Sequence, residues 1–191
     1  VRTEFSQFQI QRKGIEKHKV FLEIPELENH AYMAVRNDWP ELTTIINKVL
    51  VLNKSKIQSI NHNWLKLPET ISVAGSEIQL SEEERAWLAK HPIVRVGYDS
   101  KWAPIEFLDK KGQPQGISFQ YLERLQEILG IRFEYEADAL WSETYNKLAR
   151  SEIDLLPSVS VTQKRREQIN FTSPYYHTPI GIFSMVDRAY L

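Results

Sequence analysis

The chain has 191 residues, 24 basic against 25 acidic side chains, a formal net charge of -1, no cysteine, and 42% hydrophobic with 26% charged content. That content is too apolar for a disordered chain, and the even charge argues against a nucleic-acid binder, which carries a basic excess. The absent cysteines exclude a disulfide framework, a thiolate metal site and a cysteine nucleophile, and no apolar run approaches the ~18 residues that cross a bilayer.

In chain order, Val1 stands first with no charged-then-apolar leader behind it, which reads as a segment of a longer polypeptide. The stretch around Phe5 to Ile10, ending near Gly14, is expected to be helical. Lys19 to Ile24 is rich in Val, Phe and Ile, and His30 to Arg36 alternates Ala31, Met33 and Val35 with polar neighbours, so residues 19 to 36 predict two strands. Asp38 and Glu41 form a capping-box pattern with Pro40 in the first turn, and Leu42, Ile45, Ile46, Val49 and Leu50 follow at helical spacing. A second short helix is expected from Ser55 through Trp64. Lys66 to Leu80 holds no sustained period and marks a boundary. Ser81 with Glu84 opens a short helix that His91-Pro92 stops.

After Pro92 strands and single helices alternate. Ile93–Tyr98 is a predicted strand, then come an aromatic Pro-containing loop, a short strand at Ile105–Leu108 and a turn at Asp109–Gly112. Phe119–Leu129 predicts a helix stopped by Gly130, Ile131–Glu136 a strand and Ser142–Arg150 a helix. Ile153–Leu156 is a short buried strand, Thr162–Gln168 a short basic helix, and Ile180–Val186 a β-rich tail. This grammar indicates an α/β fold, a mixed sheet with parallel pairs flanked by helices.

In such a sheet ligands sit beyond the carboxyl ends of the strands. Three segments bring polar or aromatic residues there: Asp99 and Trp102 after the first strand, Trp141 after the third, and Ser158 and Ser160 before Arg165. Two serines two apart on an extended chain point the same way, and the Arg fork suits a carboxylate, so together they can cradle an anion. Each also has a plainer reading. Thr162 can be a helix cap, Arg165 in Lys164-Arg165-Arg166 a solvated residue, Trp102 and Trp141 packing residues, and Asp99 the acceptor of an Asx-turn. There is no Gly-rich phosphate loop, no nucleophile elbow and no His pair at metal-ligand spacing among His18, His30, His62, His91 and His177. No catalytic residue, metal or cofactor is expected.

Residues 93 to 186 resemble the front half of a type II periplasmic solute-binding module, the Venus-flytrap fold of the family 3 amino-acid binders. The matching runs are Val94 to Asp99, Trp102 to Phe107, Gly112 to Gly116, Glu152 to Leu156, Ser158 to Arg165 and Ile169 to Tyr176. The resemblance implies that Ser158, Ser160 and Arg165 hold a ligand carboxylate, that Asp99 and Trp102 cover its side chain, and that Trp141 is a further pocket aromatic. One departure is Ile117-Ser118-Phe119, where the family often has an acid shortly after the glycine.

His30 to Leu65 resembles the closing segment of the same kind of module, and Ser81 to Pro92 resembles the connector between tandem flytraps in BvgS-like hybrid histidine kinases and related cyclic-di-nucleotide enzymes. The implied organisation is the end of one module at 1–65, a linker and connector helix at 66–92, and the first lobe of a second, incomplete module at 93–191. Because each piece lacks what the other has, residues 30 to 65 are expected to pack on residues 93 to 180 as one permuted lobe, through Leu42, Ile46 or Leu50. The implied role is a non-catalytic, periplasmic, small-solute-sensing region of an inner-membrane receptor whose kinase or cyclase lies elsewhere. The expected partners are an amino acid or other small anion and the neighbouring flytraps. A freestanding transport binding protein and a flytrap-fold enzyme, such as a dehydratase or lytic transglycosylase module, are the alternatives.

Overall fold

A computed structural model of the chain describes residues 18–52, 59–60, 63–64, 78–137 and 140–185. The helix expected near Phe5, most of the boundary segment from Lys66 and the strand end at Val186 lie outside the described residues. Residues 59–60 and 63–64 are helical, within the short helix expected before Trp64. The chain divides into two compact units, residues 31–175 and residues 1–30 with 176–191.

Strand β1 runs unbroken over His18–Arg36, where two strands were expected. The polar residues from Glu26 to Asn29 suggest a turn by composition, but β1 pairs with three other strands, and main-chain hydrogen bonding sustains it where apolar alternation fails. In the smaller unit the described residues are the front of β1 and β9 (Tyr176–Met185), and β9 pairs with β1.

In the larger unit, helix α1 (Pro40–Leu52) buries the expected stripe of Leu42, Ile45, Ile46, Val49 and Leu50. It packs against β8 (Ile169–Phe171), α2 (Glu82–Lys90) and α3 (Ile117–Leu129). The front segment and the residues after the connector therefore share one core, as a permuted lobe requires. Asp38 does not act as the expected cap: the Arg36 guanidinium grips both its oxygens at 2.6 and 2.7 Å. The Ser81–Glu84 capping box of α2 is present, and Lys48 of α1 reaches the same Glu84 oxygen at 2.8 Å. Helix α2 is thereby fastened to α1 by an ion pair as well as by packing.

The sheet has the order β6-β2-β7-β1-β8, with β2 (Ile93–Gly97), β6 (Arg132–Glu136) and β7 (Leu155–Val159). β2 is parallel to β6 and to β7, and β1 is antiparallel to β7 and β8, so the sheet is mixed. β1 lies between β7 and β8, and its Tyr32 pairs with Val159 while Val35 pairs with Leu155 and Asn170. Helix α4 (Trp141–Ala149) packs on β2 and β7. Its approach is close enough that a Cβ on Gly97 would sit 2.5 Å from both Ile153 and Thr144, so glycine is required there by space. A separate three-stranded sheet joins β3 (Lys101–Trp102), β4 (Glu106–Leu108) and β5 (Pro114–Gln115).

Just ahead of β7, beside Arg95 in the middle of β2, sits Asp154, with only 2% of its side chain exposed. Arg95 forms a two-pronged pair with it (2.9 and 2.7 Å) and adds its own backbone N–H at 2.8 Å, while Arg36 of β1 contributes a fourth N–H at 2.9 Å. Burial acts to raise the Asp154 pKa, but the Arg95 and Arg36 donors outweigh it and hold the carboxyl below the usual range.

Candidate functional site

Because β2, β6 and β7 run parallel, their carboxyl ends fall along one edge of the sheet. Leaving that edge, the chain passes from β2 into Asp99, from β6 toward Trp141 and from β7 into Ser160. Helix α4 begins at Trp141 because Trp141, Thr144, Tyr145 and Leu148 recur at helical spacing. Thr144 and Leu148 are buried, whereas Trp141 and Tyr145 are half-buried and rest on a core cluster that includes Ala34, Ile153, Leu156 and Ile169. Beyond β7, Thr162 caps a single helical turn, α5 (Gln163–Arg166), by accepting the Arg165 backbone N–H at 3.3 Å.

Between α4 and α5 lies an open cleft of ≈ 360 Å³, lined among others by Trp141, Tyr145, Thr162, Lys164, Arg165 and Gln168. The Arg165 guanidinium lies over the Tyr145 ring at 5.2 Å and donates to the Ser160 carbonyl at 2.8 Å. One of its five donors is thus used to fix its direction, and the planar fork stays in the cleft wall. The Tyr145 hydroxyl donates to Gln168 at 3.0 Å, holding the ring beneath the cation. Burial raises the Tyr145 pKa, while Arg165 works in the opposite direction. Among the described lining residues there are two cations and no carboxylate, set beside two aromatic rings, so the cleft suits a small anion with a flat or apolar body.

The residues singled out from the sequence separate into two groups. Trp141 and Arg165 line the cleft, and Ser160 takes part through its carbonyl. Ser158 lies inside β7 and is 1% exposed, whereas Ser160 stands just past the strand end and is half-buried. Asp99 and Trp102 do not line this cleft. Asp99 accepts the Lys101 N–H at 2.9 Å, the Asx-turn geometry, and Trp102 pairs with Glu106 across β3 and β4. Tyr145 and Gln168 were not singled out. Tyr145 was findable as the residue one helical turn after Trp141, whereas Gln168 carries no local signal. Glu106, buried completely and close to Asp99, was also missed.

The sequence profile of the bacterial extracellular solute-binding proteins, family 3, matches residues 94–189. The virulence sensor protein BvgS of Bordetella pertussis is 29% identical over 154 residues, which is 80% of this chain and 12% of that protein. The amino-acid-binding protein AabA of Dichelobacter nodosus is 28% identical over 74 residues, 38% of this chain and 29% of that one. The crystal structure of the B. pertussis BvgS periplasmic domain superposes with a TM-score of 0.45 at 30% identity, covering 47% of this chain and 17% of that one. The chain therefore spans only a small part of the length of the sensor relatives it matches.

Proposed function

Since this chain belongs to the bacterial extracellular solute-binding proteins, family 3, we propose that the cleft between α4 and α5 receives a small anionic solute, amino-acid-like in its carboxylate, within an extracytoplasmic sensing region. The observation that carries this reading is the Arg165 guanidinium, held by the Ser160 carbonyl and the Tyr145 face in a wall that also contains Lys164 and Trp141. In this reading Arg165 takes the anionic group, Trp141 covers the apolar remainder, and Ser158 and Ser160 shape the strand end beneath. Asp99 and Trp102, which do not line the cleft, take no part in it in this reading. Chemistry is binding only, and a ligand that favours one conformation shifts the equilibrium of whatever output domain the receptor carries.

The sensor reading is preferred to a freestanding transport protein because of the front segment. An alignment of 154 residues cannot be contained in residues 94–191, so the likeness to the BvgS sensor extends ahead of the family segment, whereas the 74-residue likeness to AabA need not. Residues 1–65 then close one flytrap module, 66–92 connect, and 93–191 open the next. No helix among the described residues is long and apolar enough to cross a membrane.

Calorimetric titration of the protein with a panel of L-amino acids and small mono- and dicarboxylates tests the reading. At least one saturable ligand is expected, and Arg165→Ala is expected to weaken it by about 2 to 5 kcal/mol, the loss typical of a desolvated charge pair. Arg165→Lys should recover part of that loss. A ligand bound equally well by Arg165→Ala would remove Arg165 from the site, and no binding by any member of the panel would overturn the anion reading.

A further inference from the structure

Glu106 is the first link in a run of buried hydrogen-bonding groups. Its side chain is 0% exposed. One carboxyl oxygen accepts the Asp99 backbone N–H at 2.9 Å, and the other lies 3.0 Å from the Ser118 hydroxyl. Ser118 lies 3.2 Å from the Tyr175 hydroxyl, which donates to the Pro157 carbonyl at 2.6 Å. The Tyr121 hydroxyl donates to the Tyr175 carbonyl at 3.0 Å and fixes that residue from α3. Five separate pieces of chain meet here: the loop after β2, strand β4, the start of α3, strand β7 through Pro157, and the residue that immediately precedes β9.

Counting hydrogens decides the protonation state that this run suits. A carbonyl only accepts, so the single Tyr175 hydrogen is committed to Pro157. The Tyr175 oxygen must then accept from Ser118, which spends the single Ser118 hydrogen. The contact between Ser118 and Glu106 is therefore complete only if Glu106 is the donor, as a carboxylic acid. An ionised Glu106 would draw the Ser118 hydrogen to itself and leave the Ser118 and Tyr175 oxygens facing each other with no hydrogen between them. The charged and titratable groups around the site agree. The Asp99 carboxylate on the adjoining loop adds negative charge, Tyr98 adds a phenol, Ser118 faces it from α3 with the Tyr175 phenol behind, and no Lys or Arg among the described residues is bonded to it. Burial, aided by Asp99, pushes the Glu106 pKa up to about 8 against its Asp99 and Ser118 hydrogen bonds.

We propose that Glu106 is a proton-holding positioning residue: as a neutral acid it ties the Asp99 loop at the binding edge to Tyr175 at the start of β9, and loss of its proton breaks that tie. The device adds a pH dependence to the geometry of the ligand edge, and its test requires no ligand, so it stands or falls apart from the anion reading. The raised pKa means that the folded state keeps a proton which the unfolded chain releases near pH 4 to 5, so the stabilisation is complete at low pH and is lost as pH rises toward 8. Over that range one retained proton lowers the folded-to-unfolded ratio up to tenfold per pH unit.

Urea unfolding at pH 5 to 9 should compare the wild type with Glu106→Gln. The amide of Glu106→Gln still donates to Ser118 and accepts from Asp99 but cannot ionise. The variant is expected to match the wild type at pH 5 and to lack the extra loss of stability between pH 5 and 8. Amide exchange at Asp99 should accelerate above pH 8 in the wild type beyond the chemical rate, and not in the variant. Identical pH profiles in the two proteins would overturn the proposal. A second readout uses the wild type alone, in case the variant does not fold. Its infrared spectrum at pH 7 should retain a protonated-carboxyl stretch that disappears by pH 9, and a spectrum without that band at pH 7 would equally sink the idea.

Discussion

Asp154→Ala is expected to lower the folding stability by about 3 kcal/mol, the low end of the cost of breaking a buried ion pair, because Arg95 is partly exposed. The loss has two parts. The Arg95 backbone N–H and the Arg36 and Arg95 guanidinium groups lose an acceptor, and two positive charges are left beside each other ahead of β7. Arg95 is 43% exposed and can turn to water, whereas Arg36 at 15% has less freedom and keeps its bond to Asp38, a weak contact to the Ser151 carbonyl and its place over the Trp39 ring at 4.9 Å. The pH dependence follows from the lowered Asp154 pKa. The stabilisation is fully present above the unfolded value near 4 and is lost as pH falls through the folded value, so wild type and variant should converge in acid. Urea midpoints at pH 7 and pH 3 measure both effects. A difference that stays constant with pH would mean that shape, and not charge, makes Asp154 important.

The second large effect is expected at Ile46→Ala, which should cost about 2 to 5 kcal/mol as a large-to-small change at a fully buried position. Its interest lies in where the loss is felt. Ile46 belongs to α1, ahead of α2, yet α1 packs on β8 and α3 after it. Amide exchange in β2 and β7 should therefore accelerate together with exchange in α1, as one cooperative unit. Exchange that quickened in α1 alone would show that the front segment is an appendage.

The stripe of α1, the capping box at Ser81 and the strand-helix alternation after Pro92 were legible because each rests on a period or on a cap that one short stretch contains. The single strand β1 was not legible. Its middle carries Pro25, Glu26 and Glu28, and what keeps it extended is pairing with residues more than a hundred positions away. The cleft was half legible. Ser160, Trp141 and Arg165 stand out by type and position, but the Arg165 direction depends on Tyr145 and on a backbone carbonyl, and neither is a sequence signal for an anion site. Asp99 followed its local rule and formed the Asx-turn. Glu106 went unnoticed for a physical reason: a glutamate among Pro104, Ile105 and Phe107 reads as the exposed member of a short strand, and only the tertiary fold closes Asp99, Ser118 and Tyr175 around it.

The place of β1 within the sheet also governs the order in which the chain can assemble. Among the described strands β1 is an interior one, and the Met33 main-chain N–H must wait for Thr172, 139 residues later, to accept its hydrogen bond. Until β7 and β8 have been made, the apolar run Ala31 to Val35 has neither of its neighbours and presents an unprotected sticky edge. Such long-range closure is slow compared with local helix formation. The sheet therefore closes around β1 only after β7 and β8 have been made, and the yield in a cell depends on whatever shields that strand during the wait.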